Sequence, residues 1–326
     1  MEKTNLGRLI TEDINRRDFL KQMAWAGSGI LFTISGGVPR SFNLSSIESN
    51  PEDAAAARLA VSDSTFSFVQ ISDSHIGFNK GVTESLIAAV TKINNSDTKP
   101  DLLIHTGDLT HTSSDDEFDT FQQILKGAKA DGKFYVPGEH DVLSNGSKQY
   151  HSRFSRDSKG DGWYSFSHKG VRFIGLVNVM NYKPGGLGSL GNTQIEWLQK
   201  ELSGLSDSTP IVVFAHIPLW QARPEWGWAT EDSARPLELL RRFGCVTVLN
   251  GHVHQSMQKV EGNIYYHTAM STAYPLVPPT VGSIPEPSIL SPKELRGSLG
   301  IADIQYFDHD SRLSIIDTSL STTDRS

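Results

Sequence analysis

A chain of 326 residues, 37% hydrophobic and 21% charged, carries enough apolar material for a large core, which excludes disorder of the whole. Its formal net charge of −7 offers no basic field, so neither a nucleic-acid duplex nor an anionic membrane surface is expected as a general partner. The single cysteine, Cys245, excludes an intrachain disulfide, and its apolar run (Cys245-Val246-Thr247-Val248-Leu249) reads as a small buried hydrophobe.

The first element in chain order is an address. Arg16-Arg17 stands ahead of Phe19-Leu20, and a moderately apolar segment follows from Met23 to Val38; this resembles a twin-arginine export signal. Gly27, Gly29, Gly36 and Gly37 disfavour a soluble amphipathic helix. The segment is also shorter than the roughly 20 residues that cross a bilayer, and no Ala-x-Ala site closes it. An uncleaved signal is therefore the expected route to a membrane, if the signal is retained. The expected organisation is a signal over 1–40, a polar, Ala-rich linker over 41–63 and one domain over 64–326. Export would be through the twin-arginine machinery to the periplasm or cell surface of a bacterium. That route carries proteins already folded.

Beyond the linker, short β-branched or aromatic runs alternate with helical patterns, as α/β architectures require. Phe66–Ile71 is a predicted strand ending in Ser72-Asp73-Ser74-His75, and Leu86, Ile87, Val90 and Ile93 mark a helix. Leu102–His105 runs into Thr106-Gly107-Asp108, and a helix opens at Ser113 or Ser114 with acidic residues in its first turn. Phe134–Val136 leads into Gly138-Glu139-His140-Asp141. A polar loop is expected over 144–159, then a hairpin turning at Lys169-Gly170. A helix over 192–202, capped by Asn192 or Thr193, comes next. Ile211–Ala215 reads as a strand buried on both faces and ending in His216. A helix over 237–243 is followed by the Cys245–Leu249 strand, which ends in Asn250-Gly251-His252-Val253-His254. Two further strands, 263–267 and 301–307, flank a Pro/Ser-rich loop.

Five strand ends thus deliver metal-capable side chains: Asp73 with His75, Asp108, Glu139 with His140, His216, and His252 with His254. Each pair alone is a weak signal. Their repetition is not, because in an α/β sheet the C-terminal ends of neighbouring strands converge on one crevice. Four histidines and three carboxylates, with one carboxylate free to bridge, make two adjacent sites for first-row transition metals, and imidazole with oxygen donors suits Fe, Mn or Zn.

Asp73-x-His75, Gly107-Asp108, Gly138-x-His140-Asp141, His216 and Gly251-His252-x-His254 resemble the ordered signature of calcineurin-like metallophosphoesterases, including bacterial class III cyclic-nucleotide phosphodiesterases. The resemblance spans about Phe68 to His254. It implies an α/β fold of four layers, an α/β/β/α sandwich of two mixed sheets flanked by helices. It also implies two divalent or mixed-valence transition metal ions, one on Asp73, His75 and His254 and the other on Glu139, His216 and His252, with Asp108 bridging. His140 would stand beside the leaving group, oriented by Asp141. The implied activity is hydrolysis of small phosphate esters, phosphodiesters before monoesters, by attack of a metal-bridged hydroxide on phosphorus. The resemblance departs at Glu139, where the family usually has Asn. A carboxylate is a competent ligand, but its charge lowers the net positive charge facing the substrate. A catalytically weak or inactive exported metal-binding or interaction protein on the same scaffold is the alternative.

Two other stretches invite a ligand. Gly186-Leu187-Gly188-Ser189-Leu190-Gly191 matches G-x-G-x-x-G ahead of a helix, yet it stands too far from the preceding strand for the tight turn a dinucleotide site needs. Trp220–Trp228 is either a pocket wall or a packed surface loop. The remaining histidines default to structural or surface roles, with His111, three residues after Asp108, the likeliest exception.

Overall fold

The computed structural model describes residues 66–97, 99–143, 145–155, 158–182, 185–307 and 312–321, and the backbone of two strands at 30–35 and 38–43. Among these, one mixed sheet runs in the spatial order β2 (Val38–Asn43), β1 (Ile30–Ser35), β13 (Arg312–Ser319), β12 (Gly300–Phe307), β3 (Phe66–Ile71), β4 (Leu102–His105), β5 (Gly132–Tyr135). The other runs β10 (Met257–Glu261), β11 (Ile264–Thr268), β9 (Val246–Asn250), β8 (Ile211–Phe214), β7 (Val171–Gly175), β6 (Tyr164–His168). Within them β3, β4 and β5 are parallel, as are β7, β8, β9 and β11. Parallel strands put their C-terminal ends on one edge, so seven strand ends open in two sets facing one another.

Alternation of side chains explains the layering. Val69 and Ile71 of β3 face outward onto a cluster with Leu86, Val90, Phe118 and Phe121, from the helices Lys80–Asn94 and Asp115–Lys126. Phe66 and Phe68 of the same strand face inward, where they meet Phe173, Val212 and Phe214 of the second sheet. In β8, Val213 turns to Leu198 and Leu202 of the helix Asn192–Ser203, while Val212 and Phe214 join the inner layer. The result is the expected four-layer α/β/β/α sandwich. Stacked rings, Phe134 on Phe166 at 3.7 Å and Phe166 on Phe173 at 5.0 Å, fill the space between the sheets near β5 and β6.

Local signals set the element ends. Ser114 caps the helix Asp115–Lys126 in a reciprocal box with Glu117, and three acidic residues face the positive end of its dipole. Lys169 and Gly170 both have positive φ, as the tight β6–β7 hairpin requires.

Several expectations are corrected. The loop expected over 144–159 contains the helix Gly146–Phe154, and β10, β13 and the helix Pro292–Ser298 carry no strong periodic signal. The β1–β2 hairpin, which spans residue 40, pairs with β13 at Leu31↔Ile316 and Phe32↔Ile315. Arg16 and Arg17 lie outside the described residues. Among those described, no helix is long and apolar enough to cross a membrane.

Phe173 is fully buried between the sheets, remote from the polar strand ends. Phe173→Ala should cost about 3–5 kcal/mol of stability through lost burial and a residual cavity. Urea unfolding should show a lower midpoint at unchanged slope.

Candidate metal centre

Asp73 and His75 follow β3, Asp108 follows β4, Glu139 and His140 follow β5, His216 follows β8, and His252 and His254 follow β9. Asp73, His75, Asp108, His252 and His254 all have φ between 40° and 67°. Such left-handed backbone costs a non-glycine residue about 1–2 kcal/mol, so the surrounding structure must hold it. It does so by cross-bonding the loops: Asp73 N donates to Gly107 O at 3.0 Å, His75 N to Asp108 O at 3.0 Å, and Ile76 N to Leu109 O at 3.1 Å. His252 N, from the second sheet, donates to the Asp73 carboxylate of the first at 3.0 Å. Two motif glycines are explained by close approach. A Cβ on Gly138 would lie 2.0 Å from Asp108 Oδ1, and one on Gly251 would lie 2.1 Å from Ser72 Oγ.

The side chains form two donor sets. In the first, His75 Nε2 and His254 Nε2 are 3.1 Å apart, and His254 Nε2 is 3.4 Å from Asp73 Oδ1. In the second, Glu139 forks between two rings, with Oε2 at 2.8 Å from His216 Nε2 and Oε1 at 2.9 Å from His252 Nδ1. Asp108 Oδ2 lies between the sets, 3.4 Å from both His75 Nε2 and His216 Nε2. The ring nitrogens turned away are held by carbonyls: His216 Nδ1 donates to Thr106 O at 2.7 Å and His254 Nδ1 to Tyr274 O at 2.6 Å. This outer shell fixes which nitrogen faces the cluster.

The electrostatics are those of buried acids and imidazoles held against one another. Burial pushes the Glu139 carboxyl up, but His252 and His216 overcome this and hold it well below the ordinary carboxylate range. Burial likewise opposes ionisation of Asp73, and His254, His216 and His75 reverse it. Burial drives the His216 ring down, yet Asp108 and Glu139 raise it well above the usual histidine value. Glu139 Oε2 and His216 Nε2, though only 2.8 Å apart, are buried and poorly aligned for a hydrogen bond. They aim at a common point, as two donors to one cation do.

The residues fit a pair of metals. Asp73, His75 and His254 would hold one and Glu139, His216 and His252 the other, with Asp108 common to both. An imidazole and carboxylate donor set without thiolate suits Fe, Mn or Zn. Bound there, two such cations lower the pKa of water and clamp phosphoryl oxygens as charge develops. Beside them, His140 N donates to Asp108 Oδ1 at 2.9 Å and its Nδ1 to His111 O at 2.7 Å, which leaves Nε2 as the nitrogen able to meet a leaving group. Burial lowers the His140 ring, but Asp108 and Glu139 outweigh it and raise the ring above its ordinary value.

The expected ligand residues therefore lie together. Asp141 behaves differently from its expected role. Its carboxylate accepts from Gly138 N, Leu109 N, Thr110 N and Thr110 Oγ1, at 2.8 to 3.0 Å, and makes no bond to the His140 ring. Burial and Asp108 raise it to about 7 against the pull of those amides. It ties the Glu139–Asp141 turn to the loop after Asp108, so any orienting of His140 is indirect.

Four residues were not foreseen. Tyr274 places its hydroxyl 3.4 Å from His75 Nε2, and Phe78 packs at a tilt against Tyr274, ring centroids 4.5 Å apart. Tyr182 meets the His252 ring edge-on, and Ser113 Oγ donates to His140 O at 2.6 Å. Tyr274 had a signal: it follows β11, a strand parallel to those that carry the ligands.

The two competing stretches are accounted for. Trp226 and Trp228 pack with Val253, Leu276 and Val277 in a cluster of their own, and Trp220 lies on Tyr266. In the glycine loop, the Asp232 carboxylate takes the amides of Leu190 and Gly191 at 2.8 to 3.1 Å. That is the place a phosphate would need, and it replaces the Asn192 or Thr193 cap. His105 and His267 are buried structural residues, bonded to Ser74 and to Asp317 and Gln70, whereas His111 joins the site.

The comparisons agree with this geometry. A probable glycerophosphodiester phosphodiesterase GpdQ of Arcobacter nitrofigilis is 28% identical over 217 residues, covering 63% of this chain and 78% of the relative. A 3′,5′-cyclic-nucleotide phosphodiesterase of Nostoc is 26% identical, covering 64% and 79%. The human serine/threonine-protein phosphatase CPPED1 is 27% identical, covering 54% and 59%. Among solved structures, a dimetal phosphatase from Danio rerio superposes with a TM-score of 0.61 at 18% identity, covering 79% of this chain and 98% of that one. The calcineurin-like phosphoesterase profile matches residues 66–256, the span that carries both donor sets, and the chain belongs to that metal-dependent family.

Proposed function

We propose that this protein is an exported bacterial phosphodiesterase that hydrolyses small phosphodiesters at a centre of two transition metals, Fe, Mn or Zn. The observation that carries the reading is the junction of two N/O donor sets at Asp108, with His140 bonded to that carboxylate. In the reaction, water oxygen forms a new P–O bond and gives up one proton to solvent as one ester P–O bond breaks; His140 Nε2 gives its proton to the departing alkoxide, which leaves as an alcohol, and His140 is then reprotonated from solvent. Two features favour diesters. The relatives named above include two phosphodiesterases, and the three carboxylates at the centre, Asp73, Asp108 and Glu139, would leave two dications with one net positive charge. A monoanionic diester suits such a site better than a dianionic monoester. The Phe78 and Tyr274 rings beside the first donor set offer an apolar face for one ester substituent. Monoester hydrolysis is the second reading, favoured by the relative named as a protein phosphatase.

Purified protein should hold two metals per chain and hydrolyse bis-p-nitrophenyl phosphate faster than p-nitrophenyl phosphate. His140→Ala should lose about 10²–10⁴-fold in kcat on diesters with alkyl leaving groups while keeping both metals. Two metals bound with no hydrolysis of any ester would leave the metal-binding protein as the answer.

Glu139 brings a third carboxylate to the centre, so two dications keep one net positive charge where a neutral amide would leave two. Glu139→Asn should still bind both metals, with weaker affinity at the second set and a lower KM for anionic diesters. Metal titration beside steady-state kinetics checks this, and unchanged values would show the carboxylate to be interchangeable with an amide.

Export rests on the Arg16-Arg17 pair. With both changed to lysine, the protein should accumulate in the cytoplasm when fractionated; unaltered periplasmic recovery would remove the export reading. Mass analysis of the mature N-terminus will place the processing site relative to the β1–β2 hairpin.

A further inference from the structure

His111 lies against the metal centre without belonging to either donor set. Its amide donates to Ile76 O at 2.9 Å, and its two sides are clamped: Thr110 binds Asp141, Thr112 binds Glu117, and Ser113 Oγ joins His140 O to Leu143 N. Its position is therefore set by the loop and not by its own side chain.

Three contacts radiate from it. His111 Nδ1 is 3.4 Å from His75 Nδ1. His111 O accepts from His140 Nδ1 at 2.7 Å. The His111 and His140 rings stack at 4.8 Å and 18°. His75 uses Nε2 toward the cluster, so its proton resides on Nδ1 and needs an acceptor. The ring nitrogen of His111 is the acceptor in reach. The carbonyl can only accept, which commits His140 to Nδ1–H and presents Nε2 outward, and the stacked ring limits rotation of the imidazole about its own axis.

We propose that His111 is a positioning residue: its ring nitrogen orients the metal-ligating His75, and its ring face holds the leaving-group acid His140. Its kinetic half rests on the phosphodiesterase reading; its metal half does not.

Two variants separate the contacts. His111→Phe keeps the stacking face and removes the acceptor, whereas His111→Asn keeps an acceptor near Nδ1 and removes the face. Apoprotein titrated with Mn²⁺ or Co²⁺ by calorimetry should show one of two sites weakened about 10–100-fold in His111→Phe, with His111→Asn near wild type. A series of aryl phosphodiesters with increasingly basic leaving phenols should show the reverse. His111→Asn should lose rate progressively as the leaving group becomes more basic, and His111→Phe should keep the wild-type dependence. Wild-type metal affinity in His111→Phe overturns the orienting of His75, and a wild-type leaving-group dependence in His111→Asn overturns the holding of His140. If the unmodified protein binds metals but cleaves no ester, the phosphodiesterase reading fails with the kinetic half, and the metal titration still decides the other.

Discussion

The backbone amide of His252, in the second sheet, donates to the carboxylate of Asp73 in the first, and His216 Nδ1 reaches across in the same way to Thr106 O. These bonds lock the two stacks of strands together at the polar strand ends, where apolar contact does not reach. Their importance follows from how the donors are divided. One set takes Asp73 and His75 from the first sheet and His254 from the second; the other takes Glu139 from the first and His216 and His252 from the second. Neither half-site exists in one sheet alone. Binding energy for metals at such a site is energy for closing the sandwich, so metal loading and folding are linked.

The same division explains the cost carried at the strand ends. Five left-handed non-glycine residues turn their side chains from the strand direction toward the seam, and the loops after β3, β4, β8 and β9 cross-bond to keep them there. Beneath them a second polar layer repeats the device. Gln70 donates to Thr106 Oγ1 and Asn250 O, and Asn250 Nδ2 donates to Ala215 O and Ile217 O. Buried polar networks of this kind trade apolar burial for a defined register between sheets, though Asn250 Oδ1 is left without a hydrogen-bond partner. A register error of one residue would carry a ligand out of the seam.

The fold and the ligand residues were legible because both are written in short-range pattern. An apolar run followed at once by Asp-x-His or His-x-His marks a strand and its functional end together, and five repeats on one chain allow few other architectures. What was not legible depends on contacts between distant segments. Asp141 looks like a partner for its neighbour His140, but three amide and hydroxyl donors of Leu109 and Thr110 from another loop claim it, with Gly138 N of its own turn. His111 is marked only by its place three residues after Asp108 and Tyr274 only by following β11, and the packing of their loops is what brings them to the histidines. The helix Gly146–Phe154 is polar and lacks a side-chain cap, so its sequence reads as loop. The β1–β2 hairpin lies in a stretch whose glycines and modest hydropathy speak for a signal before they speak for strands.

That hairpin has a consequence for colloidal behaviour. On one side β13 pairs with β12, and on the other its neighbour is β1. A chain beginning after residue 40 would lack β1 altogether and leave β13, an eight-residue strand, with a row of unpaired amides and carbonyls. Such an edge is a template for strand addition from a second molecule. Where the N-terminus is trimmed therefore bears on whether the folded domain stays monodisperse or seeds its own aggregation.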